Sequence, residues 1–186
     1  MAKSLLFPAI FILSISCNWG TKHKKADNNI SYNKDTATLL NVIKSFEPNI
    51  YKGIVPKEYY TNRGELDWWR FPLVFPYSIG CIDVTEYGAI YNDKNKTNFG
   101  EEGSVQPLTV YFNKFTFDKS YFVASRYKSP FDADTVNFVD QFFIFSFSSG
   151  TSKEIKGIDN LRKKLKEIKF SGDTSFMTIN EYGNRL

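Results

Sequence analysis

Attack on a carbonyl, phosphoryl or glycosyl centre needs a nucleophile and a base placed to activate it. This chain has few groups for either role. It holds one histidine, His23, and two cysteines, Cys17 and Cys81. His23 lies in a polar stretch near the N-terminus, a poor place for a catalytic base. Cys81 falls in the apolar run SIGCIDV, where a thiol packs as a small hydrophobe and stays inert. The glycine patterns that cradle phosphates or dinucleotides are absent, and a zinc site lacks its usual His and Cys ligands. No catalytic residue, cofactor or metal site is assigned from these residues.

Carboxylates remain. Asp67, Asp83, Glu86, Asp118 and Asp140 are available to a hydrolase of the glycosidase type, which sets two carboxyls across a cleft. No spacing selects two of them. Asp132 and Asp134, in SPFDADTVN, offer oxygens to a calcium ion, without the glycine and distal glutamate of an EF-hand loop; a plain surface turn is the simpler reading. In DWWRFP, Trp68 offers a ring for stacking and Arg70 a guanidinium for an anion. These two are the residues assigned to a binding surface, and Trp69 beside them reads as core.

The elements that would hold these residues follow from periodicity. Residues 36–47 show helical spacing, with Leu39, Val42, Ile43 and Phe46 on one face, Asp35 or Thr36 as cap and Pro48 as stop. Residues 49–66 are irregular, with room for a short strand or helical turn. From Trp68 the period becomes two, and Pro72 and Pro76 restrict that strand to an edge or a break. Strands follow over 77–84, over EYGAIYND, and from Leu108 onward. Leu108, Val110 and Phe112 share one parity and Phe115 and Phe117 the other, so a bulge or tight turn is expected near Asn113 and Lys114. Asp118 to Ser120 turn into a strand over 121–127. In VDQFFIFSFSSG, Phe143, Phe145 and Phe147 point one way and Phe142 and Ile144 the other, the mark of a strand covered on both faces. A short strand over 153–156 precedes an amphipathic helix carrying Ile158, Leu161, Leu165 and Ile168, with Asp159 as N-cap. The last sixteen residues read as a loop and a short terminal segment. The fold class expected is α+β: a mainly antiparallel sheet of five to seven strands with an N-terminal and a C-terminal helix.

The N-terminal run LLFPAIFILSISCNWG carries a different kind of information. Lys3 supplies a positive start, and Leu5 to Ile15 form an apolar stretch shorter than the roughly 20 residues that span a bilayer. The chain then turns polar at once. Residues 1–16 therefore read as a signal peptide. Leu13-Ser14-Ile15-Ser16-Cys17 resembles the lipobox of bacterial lipoproteins, with Ser14 where leucine is usual. The resemblance implies cleavage before Cys17, a diacylglyceryl (palmitate-type) thioether on Cys17 and an acylated amino group. Two or three chains anchor firmly, since each buried CH₂ contributes about 0.8 kcal/mol. Asn18 stands where an aspartate would favour inner-membrane retention, so the implied place is the cell envelope, at the outer membrane. Residues 17–35 then form a tether whose charge cluster, Lys22 to Lys25, reads most simply as a solvated linker, with attraction to anionic headgroups as the alternative, and 36–186 a single α+β domain. The order of tether, aromatic strands and Lys-rich helix also resembles several families of small uncharacterised bacterial lipoproteins, which carry over no site residues.

Charge narrows the partners. Lys and Arg number 24 against 20 Asp and Glu, and the signs are mixed with no basic stripe on a recognition helix, which argues against nucleic acid. The 18 Phe and 11 Tyr suit β-structure, but an AT-rich genome enriches the same residues, so they are not read as a surface. The expectation is a lipid-anchored envelope protein without enzymatic activity, an interaction module of the immunity type, with a protein or glycan partner. The alternative is an envelope hydrolase using a carboxylate dyad.

Overall fold

The computed structural model describes residues 34–95, 106–128 and 138–186. Cys17, His23, the lipobox-like segment, the tether up to residue 33, and Asp132 and Asp134 lie outside the described residues.

The chain enters through α1 (Lys34–Ser45). Ile43 is fully buried, and Leu39, Leu40 and Phe46 pack around it against the main core. At 100° per residue these three lie within about 60° of Ile43, whereas Val42 lies about 100° away. Val42, expected inside, is accordingly 38% exposed, and Leu40 takes its place. Asp35 and Thr36, expected as caps, fall inside the first turn because the helix begins earlier. The irregular stretch that follows contains a 3-10 turn at Asn49–Tyr51 and the short helix α2 (Lys57–Thr61), which buries Tyr59 and Tyr60.

The class is α+β, with antiparallel pairing throughout. Among the described residues the strands are β1 (Gly64–Glu65), β2 (Trp68–Pro72), β3 (Tyr77–Ile82), β4 (Ala89–Asn92), β5 (Phe112–Phe117), β6 (Tyr121–Arg126), β7 (Gln141–Ser146), β8 (Thr151–Lys156) and β9 (Met177–Thr178). They divide between a sheet ordered β1-β2-β3-β4 and a sheet ordered β8-β7-β6-β5-β9. Seven of the nine run four residues or longer; β1 and β9 have two each. A bridge between Gly88 and Phe112 joins the sheets, and Leu108 N donates to Ile90 O at 2.8 Å just beyond it.

The inner faces form one core. Phe71, Ile79, Cys81 and Ile90 of the first sheet meet Phe112, Phe115, Phe122, Phe143 and Phe145 of the second. Phe112 and Phe115 have opposite parity, yet both are fully buried. The register shift between Phe112 and Lys114, where a bulge was expected, is what allows this. On the far face of the second sheet, Val123 and Ile144 pack under Leu161 and Leu165 of α3 (Ile158–Glu167), with Phe142 and Ile155 beside them. The strand β7 is thus covered on both faces, as its sequence predicts.

One further detail differs from expectation: Asp159 does not cap α3. Gly157, at a φ of 88° that glycine adopts readily, precedes the helix without a side-chain cap, and Asp159 sits in the first turn paired to Arg162 at 3.1 Å. The C-terminal stretch is a loop followed by two short elements: β9 joins β5, and α4 (Ile179–Gly183) starts with a capping box between Thr178 and Glu181. It drives Ile179 and Tyr182 fully into the core. Among the described residues no helix is long and apolar enough to cross a membrane.

Candidate functional site

Alternation along β2 sends neighbouring residues to opposite faces. Trp69 and Phe71 turn inward, and Trp69 packs on the main core as expected. Trp68 and Arg70 turn outward, opposite Ile82 and Gly80 of β3. Gly80 leaves the space that the Tyr91 ring fills; a Cβ there would lie 2.7 Å from that ring.

Arg70 is only 4% exposed, so its charge must be matched. Its Nε donates to Asp93 Oδ2 at 2.9 Å, and Nη2 donates to the same oxygen. Nη1 donates to Tyr59 O at 2.7 Å and Asn62 O at 3.0 Å. The guanidinium lies 4.6 Å from the Tyr59 ring centre, and Ser78 Oγ donates to Asp93 Oδ1 at 3.0 Å. Asp93 is placed by its own N–H, which donates to Pro76 O at 2.8 Å. Three separate segments therefore converge on one guanidinium. The donors that the sequence offered to an anion are committed within the fold, and Arg70 works as a brace.

Above this brace lies an open cleft of about 430 Å³. Glu58, Glu65, Trp68 and Phe75 line it, with Arg70 and Asp93 at its base. Among the lining residues, Arg70 and Asp93 pair and the exposed carboxylates of Glu58 and Glu65 carry the remaining charge, while Lys94 Nζ lies 5.8 Å from the Phe75 ring centre at the edge. Neither glutamate side chain makes an ion pair or hydrogen bond among the described residues. The cleft is acidic with aromatic walls, which suits amines and hydroxyl-rich groups better than anions. Sequence reasoning found Trp68 and missed Glu58, Glu65 and Asp93. Asp93 lies 23 positions from Arg70, and no local pattern marks the pairing.

The five carboxylates singled out by sequence do not meet. Asp67, Asp83, Glu86 and Asp140 are exposed and outside regular strands, and Asp83 and Asp140 adopt φ of 62° and 56°. Asp118 is buried and saturated: Oδ1 accepts from the N–H of Ser120 and Tyr121, and Oδ2 from Ser171 N–H and Oγ, all within 3.1 Å. It ties the β5–β6 turn to the segment after α3. None of the five lines the cleft. Among the described residues no group of three or more His, Cys, Asp or Glu is placed to hold a metal.

Cys81 is buried, and burial pushes its thiol up to about 12, with the charge of Glu86 adding to the effect. It is therefore protonated and unreactive at neutral pH. Near it, Tyr87 stacks on Tyr127 with ring centres 5.2 Å apart and meets Tyr111 edge-on at 5.4 Å.

Comparison with protein-family models, with curated proteins and with solved structures finds no match for this chain.

Proposed function

We propose that this chain is a lipid-anchored cell-envelope protein whose folded part is a non-enzymatic interaction module, with the rim of the Trp68 cleft as its contact surface. One observation carries the surface assignment. Leu66, at the β1–β2 tip, is 99% exposed, and Ile82, paired directly with Trp68, is 56% exposed. Apolar side chains beside a tryptophan and ringed by carboxylates have the composition of a protein contact. The anchor is supported by the lipobox-like end of the N-terminal apolar run. Labelled palmitate entering the wild type and not Cys17→Ala tests it, and equal labelling of both would reject it. For the surface, a photo-crosslinking residue at Leu66 or Ile82 is expected to capture one defined envelope or secreted protein in cells. The same residue at exposed Asn180 should capture nothing. Equal yields at all three positions would reject the assignment.

A second reading has its own observation: Glu58 and Glu65 share the cleft. A glycoside hydrolase built on them would lose turnover in Glu58→Gln and in Glu65→Gln. Turnover unaffected by either substitution, or absent in the wild type across glycoside, ester and peptide substrates, rejects this reading.

A further inference from the structure

The net charge of the chain is local. Residues 151–169 hold seven of the 24 basic residues and three of the 20 acidic ones, which leaves seventeen of each sign elsewhere. The whole formal excess of +4 thus resides in β8, α3 and Lys169 just beyond it. The cause is the amphipathic pattern: Leu161 and Leu165 face the second sheet, so the basic residues of α3 face outward.

The acidic residues there are already engaged. Asp159 pairs with Arg162 at 3.1 Å, Glu167 with Lys164 at 2.6 Å, and Glu154 with Arg126 at 3.0 Å. Lys153, Lys163, Lys166 and Lys169 are exposed with no acidic partner among the described residues. The Glu167 carboxyl is held below its usual range by its bond to Lys164, with Lys153 and Lys163 contributing.

We propose that the outward face of α3, with Lys153 of β8, docks on a bilayer surface rich in anionic lipid headgroups. This rests on the reading of Cys17 as the lipid attachment, which keeps the domain beside the membrane. Three features point to headgroups. The unpaired cations are lysines, which act as point charges without the bidentate fork that selects one bound phosphate. Lys163 and Lys166 ride on the convex side of α3, with Lys153 and Lys169 beside it, where many headgroups can be met at once. Leu161 and Leu165 are turned inward, so the contact is mainly electrostatic and sensitive to salt. The orientation also fits the cleft. α3 covers the outer face of the second sheet and the cleft opens on the outer face of the first, so docking through α3 leaves the cleft directed away from the bilayer.

The test uses the full chain, purified in detergent and reconstituted into vesicles of phosphatidylcholine alone or with phosphatidylglycerol added. Each lysine is then read by amine acetylation and mass spectrometry. Lys163, Lys166 and Lys169 should be protected about fivefold or more in the anionic vesicles, the factor expected when each basic residue gains about 1 kcal/mol at such a surface. Protection should vanish in neutral vesicles and in high salt, and Lys52 and Lys57, exposed away from α3, should label equally throughout. In Lys163→Glu/Lys166→Glu, protection of Lys153 and Lys169 should be lost while the melting temperature holds. Equal labelling in both vesicle types, or protection spread over Lys52 and Lys57, overturns the proposal. The mass of the Cys17 peptide reports the anchor separately. A diacylglyceryl adduct with unprotected lysines overturns docking alone. Protected lysines without the adduct support docking and reject the anchor.

Discussion

Replacing Asp93 with alanine separates a structural Arg70 from a ligand-binding one. The side chains of Arg70 and Asp93 are 5% and 10% exposed. Removing the carboxylate takes the acceptor from Nε and Nη2 and leaves the guanidinium with two backbone carbonyls and the Tyr59 ring. Stranding one member of a buried pair costs about 3–5 kcal/mol. For a chain of this size that is a fall in melting temperature of roughly 6–20 °C. Arg70→Met should cost a similar amount, because the buried Asp93 carboxylate would lose the Arg70 guanidinium. The double variant removes both members of this pair, so its loss should fall short of the sum of the singles by about 2 kcal/mol or more. Urea melts of all four proteins followed by circular dichroism give these numbers directly. Single losses below about 1 kcal/mol, or strict additivity, would refute the brace and return Arg70 to the ligand.

The core makes simpler demands. Phe145 is fully buried, edge-on to Tyr77 at 5.1 Å and to Phe147 at 5.9 Å, so Phe145→Ala should cost about 3–5 kcal/mol in the same melts; a loss under about 1 kcal/mol would mean the sheets do not meet there. Thr178→Ala removes the capping box of α4 and should cost about 1 kcal/mol, an effect that a frayed C-terminus would not show. The Cys81 thiol ionises near its ordinary 9.0 in the unfolded chain and at about 12 in the folded one. Between those values the unfolded state has lost a proton the native state keeps, so this contribution to stability falls as pH rises, by up to about 1.4 kcal/mol per unit. Cys81→Ala should lack that decline, and identical pH profiles for the two proteins would show that Cys81 is not buried as a thiol.

Much of the β-structure was legible because it rests on period two. The parity slip at Asn113 and Lys114 and the two apolar faces of β7 both appear as read, since alternation reports directly which face is covered. The division into two sheets was not legible. A strand with one apolar face looks the same whether that face meets a helix or another sheet, and the Gly88–Phe112 bridge that joins the halves lies between residues 24 positions apart in the chain. The short elements were legible only as a helical turn or short strand after Pro48 and a short terminal segment, for a related reason. In α2 and α4, each of five residues, too few turns exist for a periodic stripe. Their burial depends on Tyr59, Tyr60 and Tyr182 finding distant carbonyl or carboxylate partners such as Leu73 O, Glu47 and Pro72 O.

The site shows the same division between local and distant information. Trp68 was visible because alternation puts it on the strand parity opposite to Trp69 and Phe71. Arg70 was visible for its charge, but its role depends on Asp93, which sits in a stretch that reads as a polar loop. The sign of the cleft then follows from an arrangement that no spacing encodes. With Arg70 neutralised from below, the unpaired carboxylates that line the cleft are Glu58, from α2, and Glu65, from β1. An arginine beside a tryptophan suggests an anion site when read along the chain. Folding reverses that sign by sinking the arginine and leaving two glutamates above it, so a cationic or hydroxyl-rich contact is the better match for this surface.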